Sequence, residues 1–345
     1  MAASTRIAPP SSRRRVVMAA ASLVLLFFGL SPSAAPLRAN PDPAPPGPAP
    51  IQAGPSATTY RIGTFNMAGG NSKYGTAGEE APDDFVRTVK ERRPAVVTIQ
   101  EGCRDWTERL DSQLPGYSTV FDPVVPEAGT PASCWHDSEF GNALLYRDDL
   151  GFTPTTGGGH DLGSPVGREQ REMLCIRSQE RLLAVCSIHM SSGSAPLLQE
   201  AREKEAAEAK RLLATTYRGY RKFLMGDVNT TAEEPPTDSF YHRNYEGGAT
   251  GEFKEAGSPC GNYMNNWTVP CRAGEATYGV KKIDYLFVPL SVTVKWSDTV
   301  HSDFSDHDSL WAEIVLPDRP GDRVQSGDQD QPRDQEQSRD QSRSG

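Results

Sequence analysis

Short runs of apolar and β-branched residues alternate along the chain with polar turns and two longer amphipathic stretches. Glycine, proline or aspartate bounds most of the runs, which is typical of buried β-strands. The pattern predicts seven strands, at residues 62–66, 95–100, 142–146, 182–189, 222–226, 283–288 and 310–316. A further strand at 171–177 is predicted to form a hairpin with 182–190 through Glu180 and Arg181.

Two segments have the spacing of amphipathic helices. The first begins at Asp83 and Asp84, whose charges suit a helix N-terminus, and ends before Pro94. The second covers residues 194–215 and carries one apolar face among mixed charges, which is typical of a surface helix lying over a sheet. Many strands with a few helices outside predict an α/β two-layer or sandwich arrangement.

The two ends of the chain differ from this pattern. Residues 16–30 are an apolar run after three arginines, too short to cross a bilayer, so residues 1–39 are predicted to be a cleaved export signal. An uncleaved membrane anchor is the alternative. The arginines resemble a twin-arginine signal, so the export route is either Sec or twin-arginine. Composition predicts a Pro-rich disordered linker at 40–58 and a disordered polar tail at 317–345, which leaves one domain at 59–316.

The predicted domain is acidic. The chain carries 36 Lys plus Arg and 45 Asp plus Glu, a net charge of −9. Residues 1–58 hold +4 and residues 317–345 hold −2, so −11 remains on residues 59–316. A protein that coats nucleic acid needs an excess of Lys and Arg, so this class is excluded. Any polyanion must be met by local contacts or through a metal ion.

Six cysteines in an exported chain favour disulfide bonds. Pairing of neighbours would join Cys103 to Cys134, Cys175 to Cys186 and Cys260 to Cys271. The predicted hairpin supports the middle pair, because folding it places these two cysteines opposite each other. The other two pairs stay open among fifteen possible connectivities. A zinc site is disfavoured because the sequence has no Cys-x-x-Cys cluster.

Polar residues able to do chemistry fall at or next to the ends of the predicted strands. They are Asn66, Glu101, His189, Asp227, Asn229, Asp284, Asp306 and His307. One such residue alone would be an ordinary turn former. Strand ends converge in a sheet, and rigid strands fix the angles of the side chains they carry, so the repeated coincidence predicts a catalytic cluster.

Seven short motifs occur in order along the predicted domain: F-N-M at 65–67, I-Q-E at 99–101, G-N-A-L-L-Y-R at 141–147, I-H-M at 188–190, G-D-V-N at 226–229, K-I-D-Y at 282–285 and S-D-H at 305–307. Together they resemble the endonuclease/exonuclease/phosphatase superfamily of deoxyribonuclease-like, metal-dependent phosphodiesterases, which also includes neutral sphingomyelinases and inositol polyphosphate 5-phosphatases. The resemblance covers about residues 60–315. It implies an α/β (α+β) fold, a four-layer sandwich of two mixed β-sheets packed face to face with helices outside.

The resemblance places a metal site at Asn66, Glu101 and Asp306. Hydrolysis of a phosphodiester needs a cation on the phosphoryl oxygens, and carboxylate oxygen suits Mg²⁺ or Mn²⁺. Because Mg²⁺ keeps several waters, few protein ligands suffice. Ca²⁺ is considered as an auxiliary ion.

The same motifs predict the catalytic residues. His307 would transfer protons, since imidazole titrates near neutral pH, and Asp284 resembles its carboxylate partner. Asp227 would orient or deprotonate the attacking water, and Asn229 would donate to a phosphoryl oxygen. Which of Asp227 and His307 is the general base stays open.

A second imidazole, that of His189, is expected to bind the scissile phosphate, with Asn142 as a substrate contact beside it. Some deoxyribonucleases of the family carry an acidic residue at the position of Asn142. The asparagine therefore removes a carboxylate partner from His189.

These features predict a secreted, divalent-metal-dependent nuclease, an endonuclease with little sequence preference. Its substrate would be nucleic acid, foremost DNA, and the mature protein is expected to be a monomer without a membrane span or a stable protein partner. The candidate phosphate contacts are Arg147, Arg168, Arg171, Lys281 and Lys282, and Tyr263 and Trp267 lie in a candidate specificity loop.

Two alternatives are kept. The first is a sphingomyelinase-like or small-molecule phosphodiesterase or phosphatase, of which the lipid form should carry a long exposed apolar loop for docking. The second is a binding protein that retains the fold without catalysis, which should show gaps in the set of site residues. Neither feature is present in the sequence.

Overall fold

The computed structural model of the chain describes residues 57–126, 129–156, 158–163, 169–260, 262 and 271–318. The predicted export signal, nearly all of the predicted linker and nearly all of the predicted tail lie outside these residues. The strands are β1 (Ala57–Asn66), β2 (Val96–Cys103), β3 (Tyr117–Pro123), β4 (Phe140–Arg147), β5 (Thr153–Pro154), β6 (His160–Asp161), β7 (Glu172–Ser178), β8 (Leu183–His189), β9 (Arg221–Asp227), β10 (Phe253–Glu255), β11 (Asp284–Pro289), β12 (Thr293–Val300) and β13 (Ser309–Pro317). The helices are α1 (Glu80–Arg92), α2 (Arg104–Gln113), α3 (Pro196–Thr215) and α4 (Pro235–Asp238).

These strands form two mixed sheets. The first sheet has six strands in the order β12-β13-β1-β2-β4-β3. The second has seven, in the order β10-β11-β9-β8-β7-β5 with β6 also paired to β7. One pair in each sheet is parallel, β1 with β2 and β8 with β9, and the other pairs are antiparallel. The predicted mixed sheets are therefore confirmed.

Side chains on alternate faces of each strand build separate cores. On β2, Val96 packs between the two sheets, whereas Val97 and Ile99 pack toward α1 and α2 together with Phe85 and Trp106. Because both faces of such a strand are buried, it is a continuous apolar run in the sequence. The outer face of the second sheet packs against α3. The layers are helix, sheet, sheet and helix, which confirms the predicted four-layer sandwich.

All the strands predicted from apolar runs are present, with bounds shifted by a few residues at most except at β1. That strand begins at Ala57, two residues before the predicted start of the domain, and pairs with Pro317 of β13. The hairpin of β7 and β8 is confirmed. Five strands were not predicted: β5, β6 and β10 are only two or three residues long, and β3 and β12 are the half-buried edge strands of the first sheet and lack a continuous apolar run. Helix α2 follows β2 directly, without a turn residue that would mark its start.

Three disulfide bonds join Cys103 to Cys134, Cys175 to Cys186 and Cys260 to Cys271. The predicted pairing of Cys175 with Cys186 is confirmed: the two residues are direct partners on β7 and β8, with their Cα atoms 4.1 Å apart. The other two bonds also join sequence neighbours. Within the described residues, no helix has the length and the apolar character needed to cross a membrane.

Candidate active site

Four adjacent strands of the second sheet place polar residues at one level. Across β7, β8, β9 and β11, Glu172 pairs with His189, His189 with Asp227, and Asp227 with Asp284. Asn66 ends β1 of the first sheet, and its Nδ2 donates to Oδ2 of Asp227 at 3.1 Å. The strand ends of the two sheets thus meet at one place, as their polar terminal residues predict.

His307 lies between two carboxylates at this junction. Its Nδ1 is 2.9 Å from Oδ2 of Asp284, and its Nε2 is 3.8 Å from Oδ2 of Asp227. The backbone N–H of His307 donates to Oγ of Ser305, whose hydroxyl donates to the carbonyl oxygen of Asn66 at 2.7 Å. The imidazole is therefore fixed to residues of both sheets.

Burial and neighbouring charges set the pKa values of this group. Burial alone would lower the pKa of His307, but the carboxylates of Asp284, Asp227 and Asp306 outweigh it and raise that pKa to about 10. Burial, together with the charge of Asp284, raises the pKa of Asp227 to about 7. The arrangement favours an imidazolium bonded to Asp284, beside a carboxyl group that exchanges its proton near neutral pH.

Glu101 reaches the junction from a β-bulge in β2. The pairing of β2 with β4 shifts between Ile99 and Gly102, and Glu101 itself has a φ of 51°, in the left-handed region. Such bulges and strained residues are common beside active sites because they redirect a side chain. The prediction that Glu101 ends its strand is wrong, because β2 continues to Cys103. The bulge turns the Glu101 side chain toward the junction, although the strand does not end there.

Asn66 orients two carboxylates at once. Its Nδ2 donates to Oε1 of Glu101 at 3.2 Å as well as to Asp227. Its Oδ1 accepts a hydrogen bond from the backbone N–H of Ala68 at 3.0 Å. Because a backbone N–H can only donate, the side-chain oxygen of Asn66 must face Ala68, which fixes the orientation of the amide. Although 27% of the Glu101 side chain stays exposed, burial raises its pKa, and the bond from Asn66 partly opposes that shift.

The G-D-V-N segment holds Asp227 from the other side. Gly226 has a φ of 145°, and a Cβ there would lie 2.1 Å from the carbonyl oxygen of Ile188, so only glycine lets β9 pass this close to β8. The backbone N–H of Asn229 donates to Oδ1 of Asp227 at 2.7 Å, and its Nδ2 donates to Oδ2 at 3.1 Å and to the carbonyl of Met190. Asn229 therefore positions the Asp227 carboxylate.

An open cleft of about 490 Å³ lies over this group. Five of the nine predicted site residues line it: Glu101, Asp227, Asn229, Asp306 and His307. Three others, Asn66, His189 and Asp284, are buried directly behind lining residues that they contact. The fold therefore brings eight of the nine predicted site residues to this cleft or directly behind its wall.

His189 is buried behind the cleft wall. Its Nε2 lies 3.8 Å from both Oε1 of Glu101 and Oδ2 of Asp227, and Nη1 of Arg171 lies 3.0 Å from its ring nitrogens. Burial lowers the pKa of His189 well below its ordinary value, and the charges of Arg171 and His307 lower it further. The ring is therefore neutral and accepts a hydrogen bond from the guanidinium. Its contact with a phosphate stays a prediction.

Asn142 is the one predicted site residue that neither lines the cleft nor bonds to a residue that lines it among the described contacts. It is buried, its Nδ2 donates to Oε1 of Glu172 at 2.7 Å, and its Oδ1 has no hydrogen-bond partner among the described residues. Glu172, which is not among the predicted site residues, is 3% exposed, and burial raises its pKa to about 9. A protonated carboxyl group therefore sits beside Asn142 and next to His189 in the sheet.

The sequence profile of the Endonuclease/Exonuclease/phosphatase family matches residues 63–307 of this chain, a span that contains every predicted site residue. The chain belongs to the endonuclease/exonuclease/phosphatase family. No curated protein matches the sequence.

Solved structures of this family share the fold. The endonuclease/exonuclease/phosphatase from Bacteroides vulgatus is 19% identical with a TM-score of 0.53, over 75% of this chain and 99% of that chain. The human Nocturnin catalytic domain with bound sulfate is 16% identical with a TM-score of 0.56, over 74% of this chain and 93% of that chain. D. rerio TDP2 complexed with a single-strand DNA product is 13% identical with a TM-score of 0.51, over 74% and 99%. At these identities the likeness establishes the fold, and the substrate must be argued from the site.

Enzymes of the endonuclease/exonuclease/phosphatase family generally depend on a divalent metal, and the donors here fit such an ion. Glu101 and Asp306 both line the cleft, and the charge of Asp306 helps to raise the pKa of Glu101, so the two carboxylates lie near each other. Asp227, Asp284 and His307 also bring one possible ligand atom each within 4.8 Å of one another. A protonated imidazole has no lone pair to offer a cation. Glu101 and Asp306 are therefore the better pair for a hard ion.

Sequence reasoning missed several residues of the cleft wall. Nδ2 of Asn71 lies 3.4 Å from Oδ2 of Asp306. Arg202 on α3 is 4% exposed and donates to the carbonyl oxygens of Ser191 and Gly193 in the loop that precedes the helix. A signal for Arg202 was available, since a charged residue falls beside the apolar stripe of the predicted helix. Tyr278 and the hydroxyls of the wall carry no such signal.

Of the four predicted cationic contacts that the structure describes, only Lys281 lines the cleft. Arg147 ends β4 at the end opposite the site. Arg171 and Lys282 are buried. Arg168 lies outside the described residues, as do both aromatic residues of the predicted specificity loop.

Proposed function

We propose that this chain is an exported, divalent-metal-dependent phosphodiesterase that cleaves nucleic acid with little sequence preference. The observation that carries the proposal is the His307–Asp284 pair, 2.9 Å apart, with Oδ2 of Asp227 3.8 Å from the other ring nitrogen. These groups stand at a cleft that Glu101 and Asp306 also line. Phosphodiester hydrolysis needs charge neutralisation, a proton acceptor and a proton donor in one place, and this group supplies them.

The carboxylates of Glu101 and Asp306 would hold the metal ion. Asn66 would complete the predicted set, chiefly by orienting Glu101 through the bond at 3.2 Å. A bound Mg²⁺ or Mn²⁺ supplies positive charge against the phosphoryl oxygens. The positive charge of the bound ion would also offset the negative charge of Glu101 and Asp306, which would otherwise repel a phosphate.

Asp227 and His307 divide the proton transfer between them. Asp227 is held by Asn66 and Asn229, so its carboxylate is fixed to orient a water in the cleft and to accept its proton. His307 is held in the charged form by its bond to Asp284, because a hydrogen bond to a carboxylate favours the imidazolium. Its Nε2–H would donate to the phosphoryl or leaving oxygen. This division assigns Asp227 as the base.

The walls of the cleft suit a polar, extended anion. Arg202 and Lys281 supply cations, and Ser192, Ser194 and Thr231 supply hydroxyl groups that bind phosphate and sugar oxygens. Contacts of this kind carry no sequence information, which accounts for little sequence preference. Within the described residues, the large exposed apolar side chains do not form a long loop: Trp135 and Leu197 stand apart, and Tyr278 and Val280 share one short turn. A lipid substrate is less well supported for this reason.

Export is proposed from the predicted signal together with the three disulfide bonds. Disulfides persist in oxidising compartments and are rare in the cytosol. The three bonds are consistent with an extracellular protein.

A substrate panel on the purified full-length secreted product tests the proposal. Single-stranded and duplex DNA, RNA, sphingomyelin and a p-nitrophenyl phosphodiester are each incubated with Mg²⁺, Mn²⁺ or Ca²⁺. Nucleic acid should be cut, and His307→Ala or Asp227→Asn should lower the rate by about 10²–10⁴-fold while the folded state is retained. Turnover of sphingomyelin or a small ester alone, with no nucleic acid cut, would contradict the nuclease assignment.

A further inference from the structure

A short hairpin stands at the mouth of the cleft. The backbone N–H groups of Thr277 and Tyr278 both donate to the carbonyl oxygen of Lys281 at 2.9 Å, and the N–H of Lys281 donates back to the carbonyl of Tyr278 at 2.9 Å. Gly279 takes a φ of 57°, which closes the turn without strain. Tyr278 and Lys281 line the cleft, and Val280 at the tip is 94% exposed.

This hairpin, residues 277–281, is attached to the catalytic residues on both sides. The hydroxyl oxygen of Thr277 accepts the backbone N–H of Asp284 at 3.1 Å. Its carbonyl oxygen accepts the N–H of Asp308 at 2.7 Å, and Tyr278 forms a β-bridge with His307. The position of the hairpin relative to the His307–Asp284 pair is therefore set by backbone bonds.

The ring of Tyr278 lies against His307 and is also open to solvent. The two ring centroids are 4.9 Å apart, and 41% of Tyr278 is exposed. An exposed aromatic ring held beside the reacting groups offers a surface on which a flat ligand group can stack. Lys281, on the same hairpin, offers a cation. An aromatic face combined with a cation is the arrangement that binds an unpaired nucleotide, with the base on the ring and a phosphate on the ammonium.

Stacking of this kind requires a base that is free of its partner strand. In a duplex each base is already paired and stacked, so a duplex would have to be held through its phosphates alone. Among the described residues, Arg202 and Lys281 are the cations that line the cleft, and the net charge on residues 59–316 is −11. We infer that Tyr278 stacks on an unpaired base next to the scissile phosphate, and that the enzyme therefore prefers single-stranded nucleic acid. This inference rests on the proposed function.

The test compares one labelled oligonucleotide as a single strand and as a duplex, in DNA and in RNA form, at saturating Mg²⁺. The single strand should be cut at least ten times faster than the duplex. Tyr278→Ala should raise the KM for the single strand roughly 5- to 150-fold, the range that loss of one stacked base produces, with a smaller change in kcat. Tyr278→Trp should keep the low KM, because its ring is at least as large. Leu197→Ala, at a side chain 61% exposed on α3, is the matched control and should change neither constant.

Binding without turnover gives an independent measurement. In an Asp227→Asn background, fluorescence anisotropy should show single-strand affinity weakened by Tyr278→Ala over the same range and retained by Tyr278→Trp. Equal rates on single strand and duplex, or an unchanged KM and affinity in Tyr278→Ala, would overturn the inference while leaving the nuclease assignment intact. If no nucleic acid is cut in any form, the proposed function fails and the inference fails with it.

Discussion

The Nδ1 atom of His307 lies 2.9 Å from Oδ2 of Asp284, and this bond joins the two sheets of the sandwich. Asp284 begins β11 of the second sheet, whereas His307 stands just before β13 of the first. In the sequence, β12, an edge strand of the first sheet, lies between Asp284 and His307. The active-site pair therefore exists only when both sheets have formed and packed.

Removing the charge of Asp284 should disable this pair. Asp284→Asn keeps the size of the side chain but no longer favours the imidazolium, so kcat should fall by about 10²–10⁴-fold. The measurement is kcat on the best substrate of the panel, with the melting temperature as a check of folding. Asp308→Asn is the matched control, since Asp308 bonds to an exposed histidine, His301, at 2.7 Å. A similar loss in both variants would contradict the assigned role.

Activity should depend on a divalent cation held at Glu101. EDTA should abolish hydrolysis, and added Mg²⁺ or Mn²⁺ should restore it. Glu101→Ala should need far more metal and should lose the increase in melting temperature that the ion gives the wild-type protein, because a bound ion stabilises the folded state. Glu91→Ala, at an exposed position on α1, serves as the control. Full hydrolysis in excess chelator would rule out the metal mechanism.

The disulfide between Cys175 and Cys186 should affect stability and leave catalysis unchanged. It crosses β7 and β8 in the core beneath α3. Replacing both cysteines by serine should cost about 3 kcal/mol of unfolding free energy, as expected for a loop of 11 residues in the loop-entropy model. Urea denaturation gives the energy, and kcat at a temperature where the variant is folded should equal that of the wild type.

The Cys103–Cys134 bond provides the comparison, because it supports the site. A Cβ on Gly69 would lie 2.5 Å from Sγ of Cys103, and the backbone N–H of Gly69 donates to the carbonyl oxygen of Glu101 at 2.9 Å. Replacing this pair by serine should therefore lower kcat as well as stability. Equal catalytic effects of the two double substitutions would show that the bond has no part in positioning Glu101.

Glu172 should make the protein less stable as the pH rises. Its pKa is raised from 4.5 to about 9 in the folded state, so between these values the folded chain binds a proton that the unfolded chain does not. Stability is therefore lost as the pH rises through that window. Glu172→Gln removes the titration and should raise the unfolding free energy at pH 8 by more than about 1 kcal/mol, since one pKa unit corresponds to about 1.4 kcal/mol.

Denaturation at pH 5.5 and at pH 8 measures the effect of Glu172. Glu180→Gln, at an exposed position in the β7–β8 turn, is the control and should follow the wild type at both pH values. A Glu172→Gln variant with the same pH dependence as the wild type would show that this carboxyl group titrates normally.

Cleavage of nucleic acid should depend only weakly on monovalent salt. The acidic domain offers few cations to phosphates, so about two to four phosphate contacts are expected, and the logarithm of the rate on a single strand should fall with the logarithm of NaCl concentration with a slope of about one to three. The initial rate on single-stranded DNA at fixed saturating Mg²⁺ measures the slope. A slope of six or more would indicate an extended basic contact that the described residues do not provide.

Much of this fold could be predicted from local patterns. Each buried strand of the core is a run of apolar residues because both of its faces are covered, and such a run is visible without knowledge of its neighbours. The hairpin of β7 and β8 could be predicted with its register, because its strands are adjacent in sequence and its turn is short. That register alone pairs Cys175 with Cys186.

The ordered motifs likewise identified eight residues that the fold brings to one cleft or directly behind its wall. Family resemblance carried this information, since a strand-end aspartate or asparagine in isolation is an ordinary turn residue. Asn142, by contrast, was assigned to the substrate, and its amide bonds to Glu172 instead of lining the cleft.

Only the tertiary structure determined where the side chains of the site residues point. Edge strands β3 and β12 are covered on one side alone and leave no apolar run to recognise. The bulge that turns Glu101 into the site arises from pairing with β4, and Asn66 reaches Asp227 across 161 positions of sequence. The exposed position of Tyr278 beside His307 depends on the bridge between two segments that are distant in sequence. Contacts between positions that are distant in sequence arise when the sheets pack, so a local pattern of polar and apolar residues cannot predict them.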